Sequence, residues 1–217
     1  MTQTTDQNRR SLLAAGGAGL LAAAIGAPAF AQTLSDEDKA LIAKATAYIQ
    51  GLSNAKGRFV QTDPRGVTTQ GTLWLQRPGK ARFEYDGPGG LLVVSNGSNV
   101  NIFDSRLKTF ERYPLSRTPL ALLLAREVRL DRGVKITGVR KLADGFTIVA
   151  QDARRQTLGR LEMNFSNEPE LIGWTISDVK GGQTRVRLSG LEKVGAIDSK
   201  LFVLTDPRRR VGKGPTG

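Results

Sequence analysis

The sequence predicts a mainly β fold with two helices (α+β), in which about ten antiparallel strands form one curled sheet. Short segments of alternating apolar and polar residues recur at hairpin spacing, and Gly, Asp and Asn residues separate them. Two other segments carry apolar residues at helical spacing. A sheet of this many strands should curl, because large open sheets rarely stay flat. Its apolar face would then be either plugged permanently by the helices or covered by them as a lid.

The clearest strand pair lies in residues 71–88, on both sides of an Arg77-Pro78-Gly79 corner. One face of this pair is apolar and carries Leu73, Leu75, Ala81, Phe83 and Tyr85. The other predicted strands cover 55–63, 91–95, 99–104, 109–113, 134–140, 146–151, 158–165, 171–178 and 184–191, followed by an extended piece at 201–204. The Asn96-Gly97 pair predicts a tight hairpin turn.

Two segments predict helices. Ser35 precedes three acidic residues and should cap the first helix, whose apolar stripe consists of Leu41, Ile42, Ala45, Tyr48, Ile49 and Leu52. The second helix covers 118–125, with Thr118 as N-cap, Pro119 at the first helical position and leucines on almost every side.

The first and last segments of the chain differ from the predicted domain between them. Residues 1–31 combine Arg9 and Arg10 with a short apolar run, which predicts a signal peptide with a motif similar to that of twin-arginine export. An uncleaved anchor is the alternative, but the run is shorter than the roughly 20 apolar residues of a spanning helix. Residues 32–206 then form one domain, and residues 207–217 a flexible basic tail.

Composition excludes most kinds of catalytic site. The chain has no His and no Cys, so neither a Ser-His-Asp nor a Cys-His site is possible, and no disulfide or cysteine-linked lipid is available. There is no Gly-rich phosphate loop, and the acidic residues are scattered singly. We therefore expect neither an enzyme, nor a metal site, nor a cofactor.

The net charge of +12 indicates the kinds of partner that the chain could meet. Without residues 1–31 the chain keeps 30 basic and 19 acidic residues, a net charge of +11. Such a surface suits anionic lipid headgroups, nucleic acid or acidic proteins, or simply keeps the protein in solution. An exported chain rarely meets nucleic acid, so we expect no nucleic acid partner.

Several motifs, in order along the chain, resemble the family of periplasmic carriers of outer-membrane lipoproteins, LolA. They are residues 59–61 (FVQ), 71–78 (GTLWLQRP), 82–85 (RFEY), 92–97 (LVVSNG), the Thr118-Pro119 pair with its leucine helix, and 197–198 (ID) leading to Phe202. The resemblance implies an unclosed antiparallel β-barrel of about ten or eleven strands, with a helical lid over an apolar cavity. It also implies a monomer in the periplasm.

The resemblance further implies a set of site residues. Carriers use the Arg before Pro at this corner to latch the lid through backbone carbonyls, and Arg77 holds that position, although a turn Arg taken alone is usually exposed to solvent. Ala81 occupies the rim, where carriers often have an aromatic residue. The cavity that would hold acyl chains, by apolar contact alone, is assigned to Phe59, Leu73, Leu75, Phe83, Tyr85, Leu92, Val94, Ile102, Leu120, Leu123 and Leu124.

The expected partners are triacylated lipoproteins, an ATP-driven inner-membrane transporter that releases them, and an outer-membrane acceptor if one is present. Two alternatives stay open at this point. A plugged sheet would serve as a periplasmic sensor or scaffold, or as another lipid-binding protein of the same fold, because architecture alone does not fix the role. A basic module for anionic polymers or headgroups would bind in a salt-dependent way.

Overall fold

The computed structural model describes residues 34–129, 134–152, 159–178 and 180–207, all within one compact unit. The predicted signal peptide, and residues 208–217 of the predicted tail, lie outside the described residues. Helix α1 spans Asp36–Gly51 and helix α2 spans Leu120–Leu124. Ser35 caps α1 in a capping box with Asp38, as the sequence predicts. Among the described residues, no helix has the length and hydropathy needed to cross a bilayer.

Eleven antiparallel strands form a single sheet, which confirms the predicted fold class. The strands are β1 Asn54–Thr62, β2 Thr68–Gln76, β3 Lys80–Tyr85, β4 Leu92–Asn96, β5 Asn99–Asp104, β6 Thr109–Pro114, β7 Val134–Leu142, β8 Gly145–Asp152, β9 Arg160–Ser166, β10 Leu171–Ser177 and β11 Gln183–Lys193. Their spatial order is β6-β5-β4-β3-β2-β1-β11-β10-β9-β8-β7. Within the described ranges no pairing joins β6 to β7, so the sheet is unclosed.

The side of the sheet that packs against the two helices, here called the inner face, carries the main core. Alternation along each strand sends every second side chain to this face, and directly paired residues share it. Phe59, Leu73, Leu75 and Phe83 are all buried there. Gly71 faces Phe59 across β1 and β2, and a Cβ at Gly71 would lie 2.8 Å from the Phe59 ring. Only glycine therefore leaves room for this ring.

The opposite side, the outer face, has a smaller core of its own. Val94, Ile197 and Phe202 form a buried cluster there, with Trp74 packed against it. The segment after β11 crosses this face and ends in a 3₁₀ turn at Ser199–Phe202. Arg82 Nη1 donates to the carbonyl oxygen of Leu201 at 3.2 Å. The outer face of β2 to β4 is thus covered by the segment that follows β11.

Two local predictions are wrong. The piece predicted as extended at 201–204 begins inside the 3₁₀ turn instead, because Phe202 turns inward to the outer-face cluster. Thr118 does not cap α2 with its side chain: its hydroxyl donates to the carbonyl oxygen of Leu115 at 2.9 Å, which closes the preceding 3₁₀ turn at Leu115–Arg117. Helix α2 is correspondingly shorter than predicted, with only five residues.

Candidate functional site

The corner between β2 and β3 connects the sheet to both helices. Arg77 Nη1 donates to the carbonyl oxygen of Ile49 in the last turn of α1, and Arg77 Nη2 donates to that of Ala125, 2.6 Å away, directly after α2. Carbonyl oxygens at the end of a helix have no N–H partner within the helix, or share one, so they can accept a hydrogen bond from Arg77. Burial of the guanidinium lowers the pKa of Arg77. The planar guanidinium holds several N–H donors in a fixed arrangement, so it can donate to two carbonyl oxygens without an acidic partner.

Three further hydrogen bonds hold α2 and the residues that follow it. The backbone N–H of Gly79 donates to the carbonyl oxygen of Leu124 at 2.8 Å. Gln50, at the end of α1, donates through Nε2 to the carbonyl oxygen of Arg126 at 3.0 Å and accepts from the backbone N–H of Val128 at 2.9 Å. The α2 segment is therefore attached by polar contacts to the corner and to α1.

Beneath α2 lies a cavity of about 140 Å³ between the helix and the inner face. Its apolar lining consists of Phe83, Val93, Leu120, Trp174, Ile176 and Val186. Its polar lining consists of Gln61, Tyr85 and Thr184. At ~30 Å³ per water-sized group, the space holds only about five such groups. A complete acyl chain would need α2 to move.

Aromatic rings organise this part of the inner face. Phe59 makes edge-to-face contacts with Phe83 and Tyr85, at ring-centre distances of 5.4 and 5.0 Å. Phe83 makes a third such contact with Trp174 at 6.1 Å. Edge-to-face pairs of this kind are favourable beyond their buried area. The rings form a continuous apolar surface from β1 to β10.

A second pocket, of about 570 Å³, lies beside α2 and next to the corner. Gly79, Ser98 and Ala125 are among its lining residues. It provides space next to the contacts that attach α2.

The structure brings most of the residues predicted for the site together on the inner face. Phe59, Leu73, Leu75, Phe83, Leu123 and Leu124 are buried in the main core, and Tyr85, Ile102 and Leu120 pack against it. Only Phe83, Tyr85 and Leu120 of this set line the 140 Å³ cavity. The others form the core around it.

Three of the site residues lie elsewhere. Val94 belongs to the outer-face cluster, and Leu92, two residues earlier on β4, shares that face. The residue of β4 that faces the cavity is Val93, which pairs with Phe83 on β3. The assignment of Leu92 and Val94 is wrong because β4 is apolar on both faces. Alternation alone therefore does not show which of its side chains point to the inner face. Ala81 is 1% exposed and lies in the core, which corrects its assignment to the rim.

Sequence reasoning missed several residues of the site. The sequence contained a signal for Trp174, Ile176 and Val186. Each lies in a predicted strand at a position that alternation assigns to the inner face, and Trp174 pairs with Val186. Gln50 carried no signal, because an amide at the end of a helix usually faces water.

Tyr85 is the strongly perturbed titratable group of the site. Its hydroxyl donates to Gln61 Oε1 at 2.8 Å. Desolvation raises the pKa of Tyr85 to about 12. The phenol is therefore neutral at physiological pH. Among the described residues, no group of three or more acidic, His or Cys side chains is arranged to hold a metal ion.

The sequence comparisons with known proteins agree with one another. The family model described as outer membrane lipoprotein carrier protein LolA matches residues 50–205. The outer-membrane lipoprotein carrier protein of Chromobacterium violaceum is 27% identical over 199 residues, which cover 88% of this chain and 92% of that protein. The protein of the same name from Chromohalobacter salexigens is 30% identical over 143 residues, or 64% and 67% of the two chains. A solved LolA superfamily structure from Nitrosomonas europaea aligns with a TM-score of 0.45 and 10% identity, over 76% of this chain and 97% of that one.

Proposed function

This chain belongs to the outer membrane lipoprotein carrier family, and we propose that it is a periplasmic chaperone that shelters the acyl chains of lipoproteins between the inner and outer membranes. Triacylated lipoproteins would be its cargo, bound on the inner face beneath α2. The family match over residues 50–205 supports the carrier role. The predicted export signal supports the periplasm.

The observation that carries the proposal is the way in which α2 is attached above an apolar surface. Its underside is apolar, with Leu123 and Leu124 buried against the core. Its C-terminal end, in contrast, is held by hydrogen bonds from Arg77 Nη2 and the Gly79 N–H to the backbone carbonyls of Ala125 and Leu124. Each such bond contributes about 1 kcal/mol net, or somewhat more from a charged donor. A lid held in this way can open at moderate cost and close again.

The energetics of the cargo require such an opening. Three acyl chains bury on the order of 40 methylene groups, which at ~0.8 kcal/mol each gives ~30 kcal/mol of resistance to entering water. The closed cavity of about 140 Å³ replaces little of this. Opening of α2 would add the surface of Phe59, Leu73 and their neighbours, which the helices cover in the closed form.

Loading would need an external source of energy, because the sequence carries no nucleotide-binding motif. In the proposed cycle an ATP-driven inner-membrane transporter supplies that energy and delivers the cargo. An outer-membrane acceptor, where one is present, takes the cargo downhill. Neither step needs catalysis by this chain.

The experiment that tests the proposal measures transfer of a fluorescent triacylated lipopeptide. The purified protein is incubated with the lipopeptide, separated from free lipid, and mixed with acceptor vesicles. We expect a stoichiometric soluble complex whose affinity changes little with salt, because apolar burial is insensitive to screening. Absence of any complex would contradict the proposal.

A second candidate is favoured by the small size of the closed cavity. A sheet that α2 plugs permanently would act as a sensor or scaffold, without acyl cargo. It predicts no binding of lipopeptide or of hydrophobic dyes to the native protein. The same binding measurement therefore separates the two candidates.

A further inference from the structure

One end of the cavity beneath α2 is polar. Gln61, Tyr85 and Thr184 lie on the inner face near the ends of β1, β3 and β11. The register explains their proximity, because Gln61 pairs with Val186, two residues along β11 from Thr184. These strand ends lie away from the Arg77 corner, which follows the last residue of β2. The cavity thus joins a polar end to an apolar remainder.

The hydrogen bonding of this end leaves donors without acceptors. Tyr85 donates its hydroxyl proton to Gln61 Oε1 at 2.8 Å, which directs the amide nitrogen of Gln61 away from the phenol. Among the described residues, neither that nitrogen nor the hydroxyl of Thr184 has a hydrogen-bond partner. Both groups line the cavity. Both side chains are half-buried, so a ligand that enters the cavity and displaces water from these donors must supply acceptors in its place.

The cavity lining also limits the charge of that acceptor. All nine lining residues are uncharged. A carboxylate or phosphate in such surroundings would lose hydration without gaining a cationic partner. The fitting acceptor is therefore neutral, and it must be attached to hydrocarbon that can lie along Phe83, Leu120 and Trp174.

We propose that Gln61 and Thr184, with Tyr85 orienting the Gln61 amide, form a subsite for the ester carbonyls of a diacylglyceryl group. An ester carbonyl is a neutral acceptor without a donor of its own, so it matches two free donors beside an apolar surface. This inference rests on the proposed carrier function and adds to it. Cargo would be recognised by its glycerol esters as well as by the bulk of its acyl chains.

The test compares two triacylated lipopeptides of equal chain length, one with its glycerol esters intact and one with ethers in their place. Both are titrated into the full wild-type chain, into Gln61→Leu and into Thr184→Val. We expect the wild type to bind the ester form about fivefold more tightly per donor engaged, since one neutral hydrogen bond contributes about that factor. Each variant should lose its share of this preference while its affinity for the ether form stays within about twofold.

Three results would overturn the inference. Equal binding of both lipopeptides by the wild type, or an ester preference that persists undiminished in both variants, removes the subsite and leaves the carrier function standing. If neither lipopeptide binds the wild type, the carrier function fails as well. Thr184→Val exchanges the hydroxyl for a methyl group at a half-buried position, so this variant tests the inference even if Gln61→Leu does not fold.

Two further arms complete the experiment. Leu120→Ala, in the apolar lining, should weaken both lipopeptides equally, because it removes only apolar contact. A diacyl phospholipid, also compared as ester and ether, identifies the source of the carbonyl. An ester preference for the lipopeptide alone assigns the subsite to lipoproteins, whereas a preference in both pairs assigns it to diacylglyceryl lipids in general.

Discussion

Arg77 Nη2 lies 2.6 Å from the carbonyl oxygen of Ala125, so that the corner of the sheet is tied to the residue directly after α2. The same guanidinium also donates to Ile49 in α1. One side chain therefore joins a β-corner to both helices. If α2 opens to admit cargo, at least one of these two hydrogen bonds must break.

We predict that Arg77→Leu opens the lid without unfolding the protein. The variant keeps the buried stem but loses two charge-assisted hydrogen bonds to carbonyls, and after solvation changes the closed state should lose about 2 kcal/mol, a roughly 30-fold shift toward open. Hydrogen exchange at the Gly79 amide, which donates to Leu124, should accelerate accordingly. Lipopeptide transfer should be impaired.

Arg65→Leu is the matched control, since Arg65 is exposed in the turn after β1 and pairs only locally with Asp63. It should change neither lid exchange nor transfer. Unchanged transfer in Arg77→Leu would contradict the latch role.

A second prediction concerns Gln50, which holds residues 126–128 from the end of α1. Gln50→Leu removes both hydrogen bonds of the amide and should cost about 1–2 kcal/mol of local stability. The Val128 amide should then exchange faster, because Gln50 Oε1 is its acceptor. A double-mutant cycle with Arg77→Leu shows whether the two contacts open together, as one cooperative lid requires. Strict additivity would indicate two independent segments.

A third prediction separates the two faces of the sheet. Val94→Ala removes apolar groups from the outer-face cluster and should lower the free energy of unfolding by about 2 kcal/mol, while lipopeptide affinity stays unchanged. Phe83→Ala, on the inner face, should cost about 3–5 kcal/mol and also weaken lipopeptide binding. Chemical denaturation and lipopeptide titration of the same samples measure both quantities. If Val94→Ala also weakened lipopeptide binding, the outer face of β4 would have to be part of the binding site.

The raised pKa of Tyr85 gives a fourth prediction. Burial favours the neutral phenol in the folded state, so the unfolded chain, with its pKa near 10, releases this proton first. The contribution to stability is complete below pH 10 and is lost as pH rises toward about 12. Unfolding free energies measured across this range should fall less steeply for Tyr85→Phe than for the wild type. Equal slopes would show that the phenol is not desolvated.

Much of the fold follows from local pattern. The alternation of Leu73, Leu75 and Phe83 predicts the strands and their inward side chains, and all three are buried. The Asn96-Gly97 pair predicts a hairpin, and Gly97 has a φ of +100° between β4 and β5. The stripe that includes Ala45 and Ile49 predicts the face of α1 that packs on the sheet. Each signal is carried by residues a few positions apart.

Less of the candidate site follows from the sequence. On β4 both Val93 and Val94 are apolar, and both sides of the strand are covered, one by the main core and the other by Phe202 from the segment after β11. Neither face of β4 therefore carries a row of polar side chains that would identify it as the outer face. The polar end of the cavity was missed for a similar reason, because Gln61 and Thr184 come from strands that only the sheet order brings together.

By itself the sequence determined the class of the fold, most of its strands and the first helix. Only the tertiary structure decided that Ile49 and Ala125 are the acceptors of Arg77, that Gln50 holds the segment after α2, and that β4 turns Val93 inward. The reason is that periodicity is a property of neighbouring side chains. A backbone carbonyl, in contrast, is chemically alike at almost every residue, and only the packed chain shows which ones lie within reach of a donor.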